Sequence, residues 1–147
     1  MIIRLSPEQV ASVWESLRPS LLETLMPLAE VNATTAQRVL RSLLSEDMQL
    51  WLGIEKVGDF SQESVFGFMV TTIYKDLISE SKTLLIYAVV ETRDIPASIW
   101  TTALRKLNDF ALIHGCFSII AYTDNPRMAE MSKILGFRHR IFMRKEV

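Results

Sequence analysis

Seven apolar residues in succession, Leu84-Leu-Ile-Tyr-Ala-Val-Val90, constrain this chain more than any other feature. A run without polar interruption suits a central strand covered on both faces. The residues after Val90 narrow the topology. Asp94 stands where it can cap a helix and Pro96 falls in the first turn. Ile99, Ala103, Leu107, Phe110 and Ala111 form an inward stripe that Gly115 ends. Phe117–Tyr122 reads as a second strand. Strand, helix and strand in that order return the second strand parallel to the first by a right-handed crossover.

The remaining elements emerge from periodicity and caps. Ile2–Leu5 is a short strand candidate, and Ser6-Pro7-Glu8-Gln9 supplies an N-cap, a proline at the first helical position and a capping-box glutamine. Val10, Val13, Trp14 and Leu17 continue at helical spacing. Pro19 and Pro27 are expected to break this region, with Leu21, Leu22 and Leu25 on one face between them. Thr34-Thr-Ala-Gln37 starts another capped helix carrying Val39, Leu40, Leu43 and Leu44. The period then changes: Met48, Leu50, Leu52 and Ile54 alternate with Gln49, Trp51, Gly53 and Glu55, the pattern of a half-buried strand. A turn at Gly58-Asp59 precedes a partner strand over Val65–Tyr74. At the far end, Asn125-Pro126 starts a short helix, Gly136 stops it, and Phe137–Met143 alternates as a final strand. The expected order is β-α-α-β-β-β-α-β-α-β, an α/β (α+β) chain with a mixed sheet and a single domain over 1–147.

Charge and cysteine usage exclude several function classes. A net charge of −1 gives no global field for nucleic acid or anionic membrane, and the aromatics suggest no stacking platform for bases. Cys116 is the only cysteine, so no internal disulfide can form, and its setting suits a buried, inert thiol. His114 and His139 are the only histidines, too few for metal-ligand spacing. No signal peptide or membrane-spanning run is visible, which makes a reducing cytoplasmic compartment the default expectation. Arg127, Lys133, Arg138, His139, Arg140, Arg144 and Lys145 crowd the C-terminal end against Glu130 and Glu146. That is either a solvated face with an edge strand or a patch for a phosphate or partner, with anion contact at Arg138 and Arg140.

The order of elements, and the ending Asn125-Pro-Arg-Met-Ala-Glu-Met-Ser-Lys-Ile-Leu-Gly-Phe137, resemble the GNAT acetyltransferase family and its N-x-x-A…Y-x-K-x-G-F signature. The resemblance covers the chain topologically and residues 84–143 at the level of sequence. It implies that the fourth strand splays from the fifth, leaving a cleft in which the backbone at Val89 and Val90 pairs with the pantetheine arm of acetyl-CoA. It implies a pyrophosphate loop, Arg/Gln-x-x-Gly-x-Gly/Ala, at the following helix. Here Ile95, Ser98 and Trp100 fall on its key positions, and Pro96 removes an N–H. A shifted register brings Arg93 to the arginine position but puts Pro96 on a glycine. Trp100 either plugs the vacant slot or is exposed for a partner. The family tyrosine that protonates the leaving thiolate falls on Ser132, a poorer acid than a phenol of pKa ~10; Tyr122 is the candidate substitute. Glu91, or Glu55, is the candidate base, and Asn125 a helix cap that also bonds across the cleft.

Two functional expectations result. One is a GNAT-fold protein with a degenerate acetyl-CoA site and no cofactor, a binding or structural module with a protein partner or self-association. Tyr122-Thr-Asp-Asn-Pro-Arg127 with Leu135-Gly136-Phe137 and no glycine loop looks like GNAT-like proteins of tailed bacteriophages and prophages, some virion-associated. The other is a divergent N-acetyltransferase acting on a small-molecule or protein amine. It would use acetyl-CoA, Glu91 as base and Tyr122 or water as acid.

Overall fold

A computed structural model describes residues 1–25 and 30–147. The elements run β1 (Ile2–Arg4), α1 (Pro7–Glu23), α2 (Thr35–Leu44), β2 (Met48–Ile54), β3 (Val65–Lys75), β4 (Lys82–Glu91), α3 (Ala97–Ile113), β5 (Cys116–Ala121) and α4 (Pro126–Ile134). One five-stranded sheet takes them in chain order. Strands β1 to β4 are antiparallel neighbours and β5 lies parallel to β4, as the strand–helix–strand unit requires.

Two apolar layers sandwich this sheet. On one face Val10, Val13, Trp14 and Leu21 of α1 and Val39 and Leu43 of α2 pack on Leu50, Leu52, Ile54, Phe68 and Val70. On the other, Ala103, Leu107, Phe110 and Ala111 of α3 cover Trp51, Met69, Leu84 and Cys116. Strand β2 is therefore buried on both faces rather than half-buried, because β1 and β3 flank it and helices lie on either side. Its inward polar atoms are satisfied within the layer. The Trp51 indole N–H donates to Thr71 Oγ1 (2.9 Å), and that hydroxyl donates to Gln49 Oε1 (2.9 Å). Burial without water demands such pairing.

Local chemistry accounts for the helix ends, with three corrections, the first being that Thr34, at the N-cap of α2, makes no side-chain bond to the helix end. Ser6 and Gln9 close the capping box of α1. Pro19 lies inside α1 without breaking it; it and Glu15, whose carbonyl loses its helical partner, are exposed, where solvent can replace the missing donor. Pro27 lies outside the described residues. Asp94 does not cap α3: the N-cap is Pro96, with no side-chain bond to the helix end. Asn125 does cap α4, accepting from Arg127 N–H at 2.9 Å.

The expected final strand is absent: residues Phe137–Met143 join no ladder. Gly136, at φ 88°, closes α4, and Phe137 N–H bonds back to Ser132 O (2.9 Å). Alternation makes a strand only if one face finds cover and one edge a partner. Here Ile141 is 94% and Met143 87% exposed.

Candidate functional site

The cleft lies where β4 outruns β5. Their parallel pairing extends from Lys82↔Cys116 to Ile86↔Ala121 and stops, while β4 continues through Tyr87 to Glu91. On its other edge β4 pairs Ala88 with Val70 and Ile86 with Thr71, leaving Tyr87 as a bulge. A bulge bends and twists the strand that carries it, and this one sits where β5 departs. The ladder ends where β5 itself ends, at Ala121.

The chain itself enters the cleft. Leu25 forms an isolated antiparallel bridge with Ala88. Val70 holds one edge of Ala88, so Leu25 occupies the other, the edge turned toward β5. This is the stretch of β4 backbone assigned to a pantetheine arm through Val89 and Val90. Their side chains serve the core: Val90 is buried on the α1/α2 face and Val89 packs on the α3 face. Leu25, read as a helix-face residue, instead lies beyond the end of α1 and rests against the α1/α2-side core. Pro27, two places on, is the one local signal that the helix stops short of it.

The start of α3 carries no phosphate loop. Ile95, Ile99 and Trp100 line an apolar cavity of about 30 Å³ with Trp51, Phe68 and Val90. Trp100 is only 9% exposed and its indole N–H has no partner. It is not presented to a partner. Nor does it fill the gap between the parallel strands, since no β5 residue borders its cavity, which lies over β1 to β4. Ser98 is exposed on the first turn and its carbonyl accepts from the Thr102 hydroxyl at 2.8 Å.

At the cleft mouth the candidate bases are engaged. Arg127 Nη1 reaches Glu91 Oε2 (3.2 Å) and Asp94 Oδ1 (3.4 Å), joining the end of β4, the following loop and the first turn of α4. Asn125 caps the same turn, so Glu91, Asp94, Asn125 and Arg127 form one cluster. Arg93 pairs with Glu55 (3.2 Å) while lying 4.0 Å over the Phe66 ring. Tyr122 follows β5 immediately, its ring against Phe142 with centroids 5.6 Å apart.

One pairing had no sequence signal. Ser132 Oγ lies 2.9 Å from His139 Nε2 and donates to Ala129 O at 2.7 Å. A hydroxyl has one proton. With the closer carbonyl taking it, the imidazole is the donor to Ser132, an arrangement that does not activate the serine. Cys116 is buried, and loss of solvation pushes its thiol pKa up against a smaller opposing pull from Lys82. Arg138 and Arg140 are exposed. Among the described residues no cluster of three His, Cys, Asp or Glu could hold a metal, and no helix is long and apolar enough to cross a membrane.

No family model matches the sequence, and no curated protein does. Solved structures do match in shape. A probable acetyltransferase superposes with a TM-score of 0.72 at 12% identity, over 100% of this chain and 96% of that one. An aminoglycoside acetyltransferase from an uncultured soil metagenomic sample gives 0.67 at 20% identity, over 100% and 97%. Glucosamine-6-phosphate N-acetyltransferase from Arabidopsis thaliana gives 0.63 at 18%, over 99% and 97%. At such identities the likeness is one of fold, and the fold is of the GNAT acetyltransferase type.

Proposed function

We propose that this GNAT-type fold has its acyl-coenzyme A cleft filled by its own backbone and works as a non-catalytic binding module. The observation that carries this reading is the Leu25–Ala88 bridge, which takes the β4 edge a pantetheine arm would need. The rest of the site agrees. A helix N-terminus binds pyrophosphate through free N–H groups approached closely over glycines, and here Ile95, Pro96 and Trp100 stand at that approach. Glu91 is held by Arg127, and Ser132 occupies the place of the phenol. The resemblance to GNAT-like proteins of tailed phages fits a structural or host-cytoplasmic setting for such a module.

A second reading, a divergent acetyl-CoA-dependent N-acetyltransferase, draws on the bulge and on the overhang of β4 beyond β5. It requires Leu25 to leave β4, Glu91 to leave Arg127 and accept the amine proton, and Tyr122 or water to protonate the thiolate. Calorimetric titration with acetyl-CoA and with coenzyme A separates the two. Silence at millimolar ligand is expected. Micromolar binding overturns the module reading, and release of free thiol with an amine acceptor would establish the enzyme.

A further inference from the structure

The net charge of −1 conceals an uneven distribution. Residues 138–145, Arg-His-Arg-Ile-Phe-Met-Arg-Lys, hold four arginines and lysines and no acid, so the rest of the chain carries −5. Such asymmetry marks a segment with a partner of its own. All eight residues are exposed. Among the described residues Arg138, Arg140 and Lys145 make no ion pair, and Arg144 pairs with Glu146 at 3.7 Å. The three unpaired cations therefore stabilise nothing within the fold.

Two ties hold the segment against the body of the protein. His139 Nε2 lies 2.9 Å from Ser132 Oγ on α4, and the Phe142 ring meets Tyr122, just past β5, with centroids 5.6 Å apart. Phe142 is thereby half covered, at 51% exposure, and its neighbours point away: Ile141 is 94% and Met143 87% exposed. Two aliphatic side chains thus stand clear of the surface, with Arg138 and Arg140 before them and Arg144 and Lys145 after. A lone exposed apolar residue needs no explanation, but a pair set between cations does. What covers them must be anionic at its surface and apolar beneath. Nucleic acid satisfies the cations but gives two aliphatic side chains little to enter. A protein partner would need an acidic pocket cut to fit them. A bilayer with anionic headgroups supplies both layers with no preformed pocket, and the long stems of arginine and lysine reach from one layer to the other.

We propose that residues 138–145 dock this protein on an anionic lipid surface, with Ile141 and Met143 inserted and Arg138, Arg140, Arg144 and Lys145 against the headgroups. The contact is peripheral, and among the described residues no helix is long and apolar enough to cross a membrane. Headgroup attraction acts within a Debye length and is worth about fivefold in affinity for each basic residue. The inference does not involve the cleft and stands whether or not acyl-coenzyme A binds there.

The test floats the full chain with mixed phosphatidylcholine–phosphatidylserine vesicles and with vesicles of phosphatidylcholine alone. The wild type is expected to rise with the anionic vesicles, far less with the neutral ones, and less as salt is added. Arg138→Gln with Arg140→Gln should weaken anionic partition at least about tenfold. Ile141→Ser with Met143→Ser should weaken it at least about tenfold with the charge unchanged. Both double variants should keep the wild-type circular dichroism, since all four side chains are exposed. Cys116 is buried, so Met143→Cys can be labelled selectively with an environment-sensitive dye, whose emission should shift to the blue on anionic vesicles. A wild type that does not float, flotation indifferent to either double variant, or an unshifted dye overturns the proposal. Tighter binding to a single-stranded oligonucleotide at the same salt overturns it too, and would assign the cations to nucleic acid.

Discussion

Replacing Thr71 by valine tests the buried polar chain that ties β2 to β3 beneath α3. The side chain is 0% exposed, and its hydroxyl both accepts from the Trp51 indole and donates to Gln49, each at 2.9 Å. Valine has nearly the same shape, so the packing change is small and the hydrogen bonds are what is lost. The Trp51 N–H, in a residue 5% exposed, would be stranded without water; a buried unsatisfied donor costs about 1–3 kcal/mol. Gln49 loses a partner too, at the net value of an ordinary bond, about 0.5–1.5 kcal/mol. Together these predict about 2–4 kcal/mol of destabilisation. At about 2–4 °C per kcal/mol for a chain of this size, Tm should fall by roughly 4–16 °C. Urea unfolding followed by tryptophan fluorescence should show a lower midpoint with an unchanged slope. On a Trp51→Phe background the same substitution should cost about 1–3 kcal/mol less, since the stranded donor is gone. A Thr71→Val midpoint within error of the wild type, or strict additivity with Trp51→Phe, would refute the account. The Trp51 ring also meets Phe110 edge-on at 5.4 Å, so loosening this chain loosens the seat of α3.

Three further outcomes are expected. Gly67→Ala would drive a Cβ into the Val90 carbonyl oxygen and to within 3.3 Å of Glu91 Cα; thermal melts should show a loss of about 1–3 kcal/mol. Gly53→Ala, whose nearest neighbour would be a side-chain methyl at 3.4 Å, should be milder. Trp100→Phe removes an indole N–H that already lacks a partner, so relief of about 1–3 kcal/mol offsets lost ring area. Its stability should stay within about 1 kcal/mol of wild type, and a loss above about 3 kcal/mol would contradict that. Finally, Asp76 and Asp59 titrate below the ordinary carboxylate range. Asp76 accepts first from Ser79 N–H, then from the Ser79 hydroxyl and Ile78 N–H, and Asp59 accepts from Ser61. A folded pKa below the unfolded one adds stability above the unfolded pKa and loses it as pH falls through the folded one. Denaturation midpoints should therefore hold at neutral pH and decline below about pH 4, less steeply in Asp76→Asn.

Elements whose signals are local were legible in the sequence. The box at Ser6 and Gln9, the Asn125 cap, the apolar run of β4 and the stripe of α3 each state their structure within a few residues. What escaped depends on distant partners. The pattern of Phe137–Met143 describes a strand, but pairing needs an edge, and no local pattern names one. Two-sided burial of β2 required knowing that α3 would cover Trp51 and that Thr71 and Gln49 would join its indole in one hydrogen-bonded set. The site divides in the same way. Ile95, Ser98 and Ser132 stood out by type at positions the fold assigns. Leu25 did not, because its bridge to Ala88 is a long-range backbone contact to which its side-chain type contributes nothing. Arg127 was counted only as one of several basic residues, although its salt links hold the cleft mouth.

The bulge at Tyr87 has a consequence beyond opening the cleft, because it inverts the parity of β4. Before it, the even-numbered Leu84 and Ile86 face α3; after it, the even-numbered Ala88 and Val90 face α1 and α2, and odd-numbered Val89 takes the α3 side. One strand thus feeds two cores with opposite counting rules, joined by a single residue. Drawing Tyr87 into the ladder as a regular strand residue would not narrow the cleft by one step but turn its whole far wall inside out. Ala88 and Val90 would be delivered to the α3 face and Glu91 carried away from Arg127, whereas deleting Tyr87 would leave the faces of Ala88, Val89 and Val90 as they are. The geometry of this mouth is set by an integer, and so it cannot be tuned gradually: length changes in β4 either preserve it or abolish it.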